Sequence, residues 1–526
     1  MATRPMLIAQ VDPPHATRGG DWFYRTFAPG RAMATGDGVY VVNLDQVHRK
    51  RDLILEQADV VVLNGVCNPD LLPIIRRRRD AGALTVFEIN DDMGAVPAWS
   101  PVSAFFASPE NVRLFRRIAQ SCDAVQYSVD ELMRCYGHLN PRGRVFPNQV
   151  VALPPRRAAP AVPSDGLVIG WGGSSGHLDD MAAVAGALSG FVLRHPQVTL
   201  HLMCSDAIWR LFGALPEGRK RRTAPGSIEA YFDFVAGLDV GIAPIADTAF
   251  NRSRSDVKFL EYAGWGAVPV VQSLTPYLGT VRDGDNGFLF ATPEELVAVL
   301  EALAADPAAR ERVRARAYDS VRSGRLMADH AGDRVAYYDE LLAEPGRPPR
   351  AVGDPARLLA DIATWEGAEV VGRHAVLSHT RFESLLHDGL VLLGQDGDVK
   401  RGTEMLRAAA ALEPQHPLPY LYLGCHLQGE ADLGEALRRD PRSIQGRLAL
   451  GSALLARGEP AAGFQQFLAA AELFPAYEMP YAHAARALRQ LGNTKEADHF
   501  DRMAGGFARS VAPPTPSSDR GEESER

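Results

Sequence analysis

Along the N-terminal part of the chain, short apolar runs rich in valine and isoleucine alternate with stretches of helical period. The runs are MLIAQV at 6–11, VYVVNL at 39–44, DVVVLNG at 59–65, LTVFEIN at 84–90, AVQYS at 124–128 and RVFPN at 144–148. Runs that are apolar on both faces suit central strands of a parallel sheet covered by helices on both sides. A proline-rich, aperiodic stretch at 147–166 interrupts the pattern and predicts an interdomain linker. The pattern then restarts with LVIGWGG at 167–173, TLHLMC at 199–204, LDVGIAPI at 238–245, VPVVQS at 268–273 and GFLF at 287–290. Two successive βα arrays of similar size predict an α/β protein of two Rossmann-like, doubly wound lobes facing one another. Ligands of such sheets bind beyond the carboxyl ends of the strands, so the active site is expected in a cleft between the lobes.

Helical periodicity continues from 292 to 342, and the proline- and glycine-rich segment at 344–355 ends it. Beyond Arg381 the chain becomes rich in alanine, leucine and glycine, with LEP, RDP and LFP ending at Pro414, Pro441 and Pro475. From Pro441 to Pro475 is 34 residues, the tetratricopeptide period, and from Pro414 to Pro441 is 27, so one unit is shortened. The stretch at 449–475 resembles a tetratricopeptide repeat, with small residues where paired helices must approach. The expected organisation is an acceptor lobe at 1–153, a linker at 154–166, a nucleotide-binding lobe at 167–343, a second linker at 344–380, all-α helical repeats at 381–506 and a disordered tail at 507–526.

Composition narrows the class. Of 526 residues 46% are hydrophobic and 23% charged, which is ordinary for globular protein. A net charge of -8 argues against nucleic-acid binding, which needs a basic surface. The five cysteines have no CxxC spacing and offer neither a zinc site nor a disulfide framework. The opening residues lack the apolar core of a signal peptide, and no run reaches the roughly 20 apolar residues of a membrane helix. A cytoplasmic protein with at most peripheral membrane contact is expected. The basic runs RRRR at 76–79 and RKRR at 219–222 are expected to be solvated helix or loop faces, with attraction to anionic lipid as the alternative.

Four segments could carry chemistry. In FNRSRSDVKFLEYAGWGAVPVV at 250–271, Lys258 and Glu261 share one helix face. A lysine near a helix N-terminus can meet a diphosphate, and a carboxylate one turn later can accept two ribose hydroxyls. A surface Lys–Glu pair is the plain alternative. In IGWGGSSGHLDDM at 169–181, a strand enters a glycine-rich turn that could cradle phosphate through Gly172, Gly173 and Ser174; a tight βα connection is the alternative. His177 is a candidate donor-facing group, or a cap. In HATRGGDWFYRTFAPGRAM at 15–33, Gly19, Gly20 and Arg25 follow the first strand, and Trp22, Phe23 and Tyr24 are as readily core aromatics of a helix. EINDDM at 88–93 could mimic a metal-binding acidic motif, but acids at strand ends are commonly caps, and no metal is expected.

The 250–271 segment resembles the nucleotide-binding signature of GT-B glycosyltransferases, in which a basic residue, an apolar pair and a glutamate precede a small-residue turn and a PVV strand. The resemblance covers roughly 5–340. It implies that Glu261 holds the donor ribose and that Lys258 contacts donor phosphate and stabilises the leaving diphosphate, with His177 a second catalytic candidate. It further implies that Gly172, Gly173 and Ser174 face phosphate, and that Gly19, Gly20 and Arg25 form an acceptor-side loop. Many retaining members carry an earlier glutamate that would fall at Ser253 here, so that contact does not transfer, and Arg254 is expected to add positive charge instead. An acceptor-side role for Asp91 or Asp92 stays open.

The activity implied is transfer from a nucleoside-diphosphate sugar, with retention, to a glycan, lipid-linked or protein acceptor, without cofactor or metal. The alternatives are a catalytically silent scaffold and another GT-B enzyme such as an epimerase. The repeats are expected to bind a protein partner or to orient the acceptor.

Overall fold

The computed structural model describes residues 5–14, 19–98, 100, 102–157, 166–350 and 353–513. Residues 15–18 of the first glycine loop, 158–165 of the first expected linker and 514–526 of the expected tail lie outside the described residues.

Each apolar run of the first array forms a strand: β1 (Met6–Asp12), β2 (Val39–Asp45), β3 (Val60–Asn64), β4 (Leu84–Ile89), β5 (Ala124–Tyr127) and β6 (Gly143–Val145). They pair in parallel in the order β2-β1-β3-β4-β5-β6. Successive residues of β1 feed opposite cores, as runs apolar on both faces require. Leu7, Ala9 and Val11 pack with Phe87, Phe115 and Ile118, whereas Met6 and Ile8 pack with Met33, Tyr337 and Tyr338. The second array gives β7 (Leu167–Gly172), β8 (Val198–Met203), β9 (Lys220–Thr223), β10 (Val240–Ala243), β11 (Val268–Gln272) and β12 (Phe288–Phe290). This all-parallel sheet runs β12-β11-β10-β7-β8-β9.

The segment expected as a linker at 344–380 instead completes the first lobe. The helix Pro355–Ile362 buries Leu358, Leu359 and Ile362 in the core that holds Leu7 and Val42. A hairpin of β13 (Ala368–Val371) and β14 (His374–Leu377) follows, and β14 runs parallel to β2, extending that sheet to eight strands. Gly372 opens the two-residue turn with φ +61°, a conformation that favours glycine. The helix Met327–Leu342, expected with the second lobe, crosses back onto the first. Tyr337, Tyr338 and Leu341 lie in the core of Met6 and Ile8, and the Tyr338 hydroxyl donates to Gln126 Oε1 at 2.9 Å. At the crossing, Arg325 Nη2 donates to the Asn148 carbonyl at 2.7 Å and pairs with Asp256, joining the two lobes.

Four helix pairs close the described chain: Arg381–Val391 with Val399–Leu412, Leu418–Leu427 with Glu430–Arg439, Ile444–Ala456 with Pro460–Leu473, and Glu478–Gln490 with Thr494–Ser510. The pair that closes before Pro441 has helices of 10 residues each, against 13 and 14 in the pair that closes before Pro475, which accounts for the shortened repeat interval. Gly451 is small because a β-carbon there would stand 2.4 Å from the Phe467 ring of its paired helix. The last helix runs to Ser510, beyond the expected start of the tail. The repeats are not a free appendage. Ile444, Ala470, Tyr477 and Val511 belong to the first lobe's own core, and Glu478, 4% exposed, lies between Arg113 and Arg117 at 3.4 and 3.5 Å.

The basic runs are solvated at Arg76, Arg77, Arg79, Arg221 and Arg222, and depart from that face at Arg78, Arg219 and Lys220. Arg78, 5% exposed, donates to the carbonyls of Leu55, Ala58 and Leu84, which ties the end of the helix Arg51–Gln57 and the start of β4 to its own helix. Arg219 donates to the carbonyls of Val192, His195 and Val198, and Lys220 of β9 sits 4.6 Å from the centre of the Trp209 ring. Guanidinium groups supply five donors in a fixed fork, which suits them to close strand and helix ends. Two Rossmann-like lobes followed by stacked tetratricopeptide-like helix pairs make up the fold.

Candidate functional site

A cleft of 570 Å³ lies between the lobes at the carboxyl ends of their strands. Its lining includes Gly19, Gly20 and Arg25 from the first lobe and Gly173, Ser174, His177, Arg254, Lys258 and Glu261 from the second. The structure thus brings together every expected site residue except Gly172.

The chemical centre is on the helix Val257–Trp265, which Gly266 ends with φ +84° so that β11 can begin two residues later. Lys258 Nζ lies 3.0 Å from Glu261 Oε2 and donates to the Tyr231 hydroxyl at 2.6 Å. Tyr231 in turn donates to Glu261 Oε2 at 2.7 Å, and Tyr24 of the first lobe donates to Oε1 at 3.1 Å. Burial and the adjacent Glu261 carboxylate push both tyrosines well above their ordinary range, so both stay protonated as donors. Glu261 therefore receives a donor from each lobe. Its carboxylate has about four lone-pair sites, which leaves room for a ligand hydroxyl.

A second cluster lies on the turn after β7. His177 Nδ1 lies 2.8 Å from Asp180 Oδ2, and Arg254 Nη1 lies 3.0 Å from His177 Nε2. Burial pulls His177 down to about 4, so near neutral pH the ring is uncharged and Nε2 can accept from Arg254. Both ring nitrogens are thus engaged, and His177 orients Arg254 rather than presenting a free catalytic nitrogen to the cleft. Asp180 is itself fixed by the Ala246 amide at 2.8 Å and by Asn251 Nδ2 at 3.0 Å. Arg254 Nε is buried and donates to no group among the described residues. An unpaired guanidinium N–H that faces a cleft can donate to an anion.

The glycine turn works differently from expectation. The Gly173 amide donates to the Met203 carbonyl at 3.1 Å, so it is not offered to the cleft. A β-carbon on Gly172 would stand 2.8 Å from the Tyr231 ring and 2.9 Å from that of Phe234. Glycine at 172 is what lets Tyr231 lie against the strand end and reach Lys258 and Glu261. Ser174 Oγ accepts the Gly176 amide at 3.3 Å and caps the turn. In the first lobe, Arg25 is 2% exposed and is consumed by structure. Its Nη2 pairs with Glu88 at 2.7 Å, and its Nη1 donates to the Phe146 carbonyl and to Asn148 Oδ1. Gly19 and Gly20 sit at the cleft rim, at the start of the helix that carries Tyr24.

At the end of β4, Asp91 lines the cleft whereas Asp92 is taken up by the Tyr136 hydroxyl and the Gly94 amide. Burial pushes Asp91 up to about 6, against the pull of Arg254. Ser253, where the longer glutamate pattern fails, is fully buried and donates to the Phe250 carbonyl at 2.7 Å. Tyr231 carries no sequence signal, because IEAYFDFVA reads only as an amphipathic helix. Asp180 was legible, three residues after His177 on the same helical face. No group of three histidine, cysteine, aspartate or glutamate side chains that could hold a metal ion occurs among the described residues, and no helix among them is long and apolar enough to cross a membrane.

Neither a protein-family model nor a curated protein matches the sequence. Among solved structures, the chain is similar to Anabaena HepE in complex with UDP-glucose, at 13% identity over 63% of this chain and 99% of that one, with a TM-score of 0.46. Sucrose-phosphate synthase from Thermosynechococcus elongatus gives 14% identity over 64% and 99%, with a TM-score of 0.48. A MamA mutant gives 25% identity over 24% of this chain and 77% of that one, with a TM-score of 0.22.

Proposed function

We propose that the cleft binds a nucleoside-diphosphate sugar and transfers its sugar to an acceptor hydroxyl. The observation that carries this reading is the pairing of an unsatisfied Arg254 Nε and the Lys258 ammonium with a tyrosine-held Glu261 in one inter-lobe cleft. Arg254 and Lys258 receive the diphosphate. Glu261 accepts a ribose hydroxyl at its remaining lone-pair site.

In the transfer, the acceptor oxygen forms a bond to the anomeric carbon. The bond from that carbon to the phosphate oxygen breaks, and the diphosphate leaves with the electron pair. In the retaining course that the sequence resemblance favours, the departing phosphate oxygen takes the acceptor proton. Charge then grows on the diphosphate beside Lys258 and Arg254, which are already in place and need no reorganisation. One such preorganised contact contributes ~3–4 kcal/mol, or about 10²–10³ in rate. His177 and Asp180 act as positioning residues that aim Arg254. Closure of the lobes, with Tyr24 reaching Glu261, limits the access of water to the activated sugar.

The test is a panel of UDP-, GDP- and ADP-sugars offered to the full chain, read by thermal shift and released diphosphate. One nucleotide class should stabilise the protein and turn over. A panel with neither stabilisation nor turnover would overturn the proposal.

A further inference from the structure

A second cavity, of 850 Å³, adjoins the first and shares with it the turn at 226–228. Its floor is the carboxyl end of the first sheet, where Asp12 ends β1, Asp45 ends β2 and Leu377 ends β14. One wall is the pair Trp22 and Phe27, whose rings stack with centroids 4.5 Å apart. Another is the first repeat helix, which contributes His387 and Asp388. Segments distant in sequence therefore build this cavity, including the hairpin strands and the repeats.

The two cavities differ in charge. The donor cleft sets Arg25, Arg254 and Lys258 beside Asp21, Asp91 and Glu261. Among the described residues that line the second cavity there is no lysine or arginine, but there are five carboxyl side chains, with His379 and His387 beside them. Asp12 is buried and bonded by Thr26 and Asn64, and Asp45 pairs with His379. Glu229, Glu369 and Asp388 are exposed at the mouth. A phosphate entering here would lose water, meet like charge and find no lysine or arginine. A polyol suits the site: its hydroxyls donate to carboxylates, which only accept, and its apolar face can rest on an aromatic wall. An amine adds attraction.

We propose that this cavity seats the acceptor, and that the acceptor's seated end is an uncharged or amine-bearing carbohydrate carrying no phosphate. This rests on the neighbouring cleft holding the donor. It implies that the hairpin and the first repeat helix serve acceptor choice, and that the phosphates of donor and product are confined to the other cavity.

The test is calorimetric titration of the full chain, in the presence of saturating UDP or GDP, with maltose, a glucosamine disaccharide and maltose 1-phosphate. Titration of the nucleotide alone into the same preparation reports the donor cleft separately, so the two readings can fail independently. Maltose and the glucosamine disaccharide should bind, and maltose 1-phosphate at least about tenfold more weakly. A Glu369→Lys, Asp388→Lys double variant, altered only at exposed positions, should weaken the amine sugar about tenfold and strengthen the phosphorylated one. Maltose 1-phosphate binding the native chain as tightly as maltose would overturn the proposal. So would the absence of saccharide binding to the native chain, or a double variant with unchanged order of affinity.

Discussion

The two lobes share a strand pattern but are built differently. The second is nearly self-contained: its larger core runs from Leu167 to Val313 without a residue from outside the lobe. The first closes only with help from far downstream, taking Tyr337 and Tyr338 on one face of its sheet and Leu358, Ile444, Tyr477 and Val511 on the other. Function divides along the same line. The self-contained lobe supplies Arg254, Lys258 and Glu261, and the composite one supplies Tyr24 and Asp91. The repeats meet this lobe twice: the first repeat helix lines the second cavity with His387 and Asp388, and later repeat helices complete the first lobe's core with Ile444, Ala470 and Tyr477.

The sharpest way to break this contrast is to remove 381–526. Each large apolar side chain withdrawn from a core is worth about 1.5–3 kcal/mol, and several are lost at once against a total stability of about 5–15. The first lobe should fail to fold cooperatively, and the truncated chain should aggregate. A soluble truncation with an unchanged melting profile would show that the repeats are an independent module.

Glu478→Ala attacks the same junction at one point. It strips Arg113 and Arg117 of their buried partner and should cost about 3–5 kcal/mol in denaturant unfolding. Lys258→Ala acts in the other lobe and should do the reverse: turnover falls about 10²–10³ while the melting temperature stays within a few degrees. A large loss of stability there would mean that the lysine is structural.

The smallest effect is at Asp70, which accepts from Ser443 Oγ at 2.8 Å and from the Gln445 amide at 2.9 Å, across the junction with the repeats. Burial pushes its carboxyl up to about 6. The folded state holds that proton more tightly than the unfolded one, so the contribution is full below the ordinary carboxylate range and is lost as pH rises through about 6. Asp70→Asn should match the native protein at acid pH and exceed it at pH 8 by at most about 3 kcal/mol, a bound that solvent screening lowers. Equal stability of the two proteins at both pH values would contradict the assignment.

What was legible in the sequence follows the same division. Parallel strands buried on both faces announce themselves as apolar runs, so eleven of the strands stand where the runs lie. The others are an edge strand written in basic residues, KRRT, and a hairpin whose AEVV and HAVL are only four residues long, each with one polar residue. The turn between them, Gly372–Arg373, was a usable signal. Lys258 and Glu261 were visible because three-residue spacing places them on one helix face. Their supporting tyrosines were not, because contacts across 27 or 237 residues leave no local trace. Arg25, Arg78 and Arg219 mislead for one reason: a guanidinium that closes carbonyl ends has the same letter as one that faces solvent or a ligand.

The account turns on the cleft as a diphosphate site. A crystal of the full chain soaked with UDP or GDP measures this most directly. Diphosphate oxygens about 3 Å from Arg254 Nε and Lys258 Nζ, with the ribose on Glu261, are the predicted result. A nucleotide bound elsewhere, or a cleft left vacant at saturating concentration with Tyr231 and Tyr24 still closing on Glu261, would contradict it.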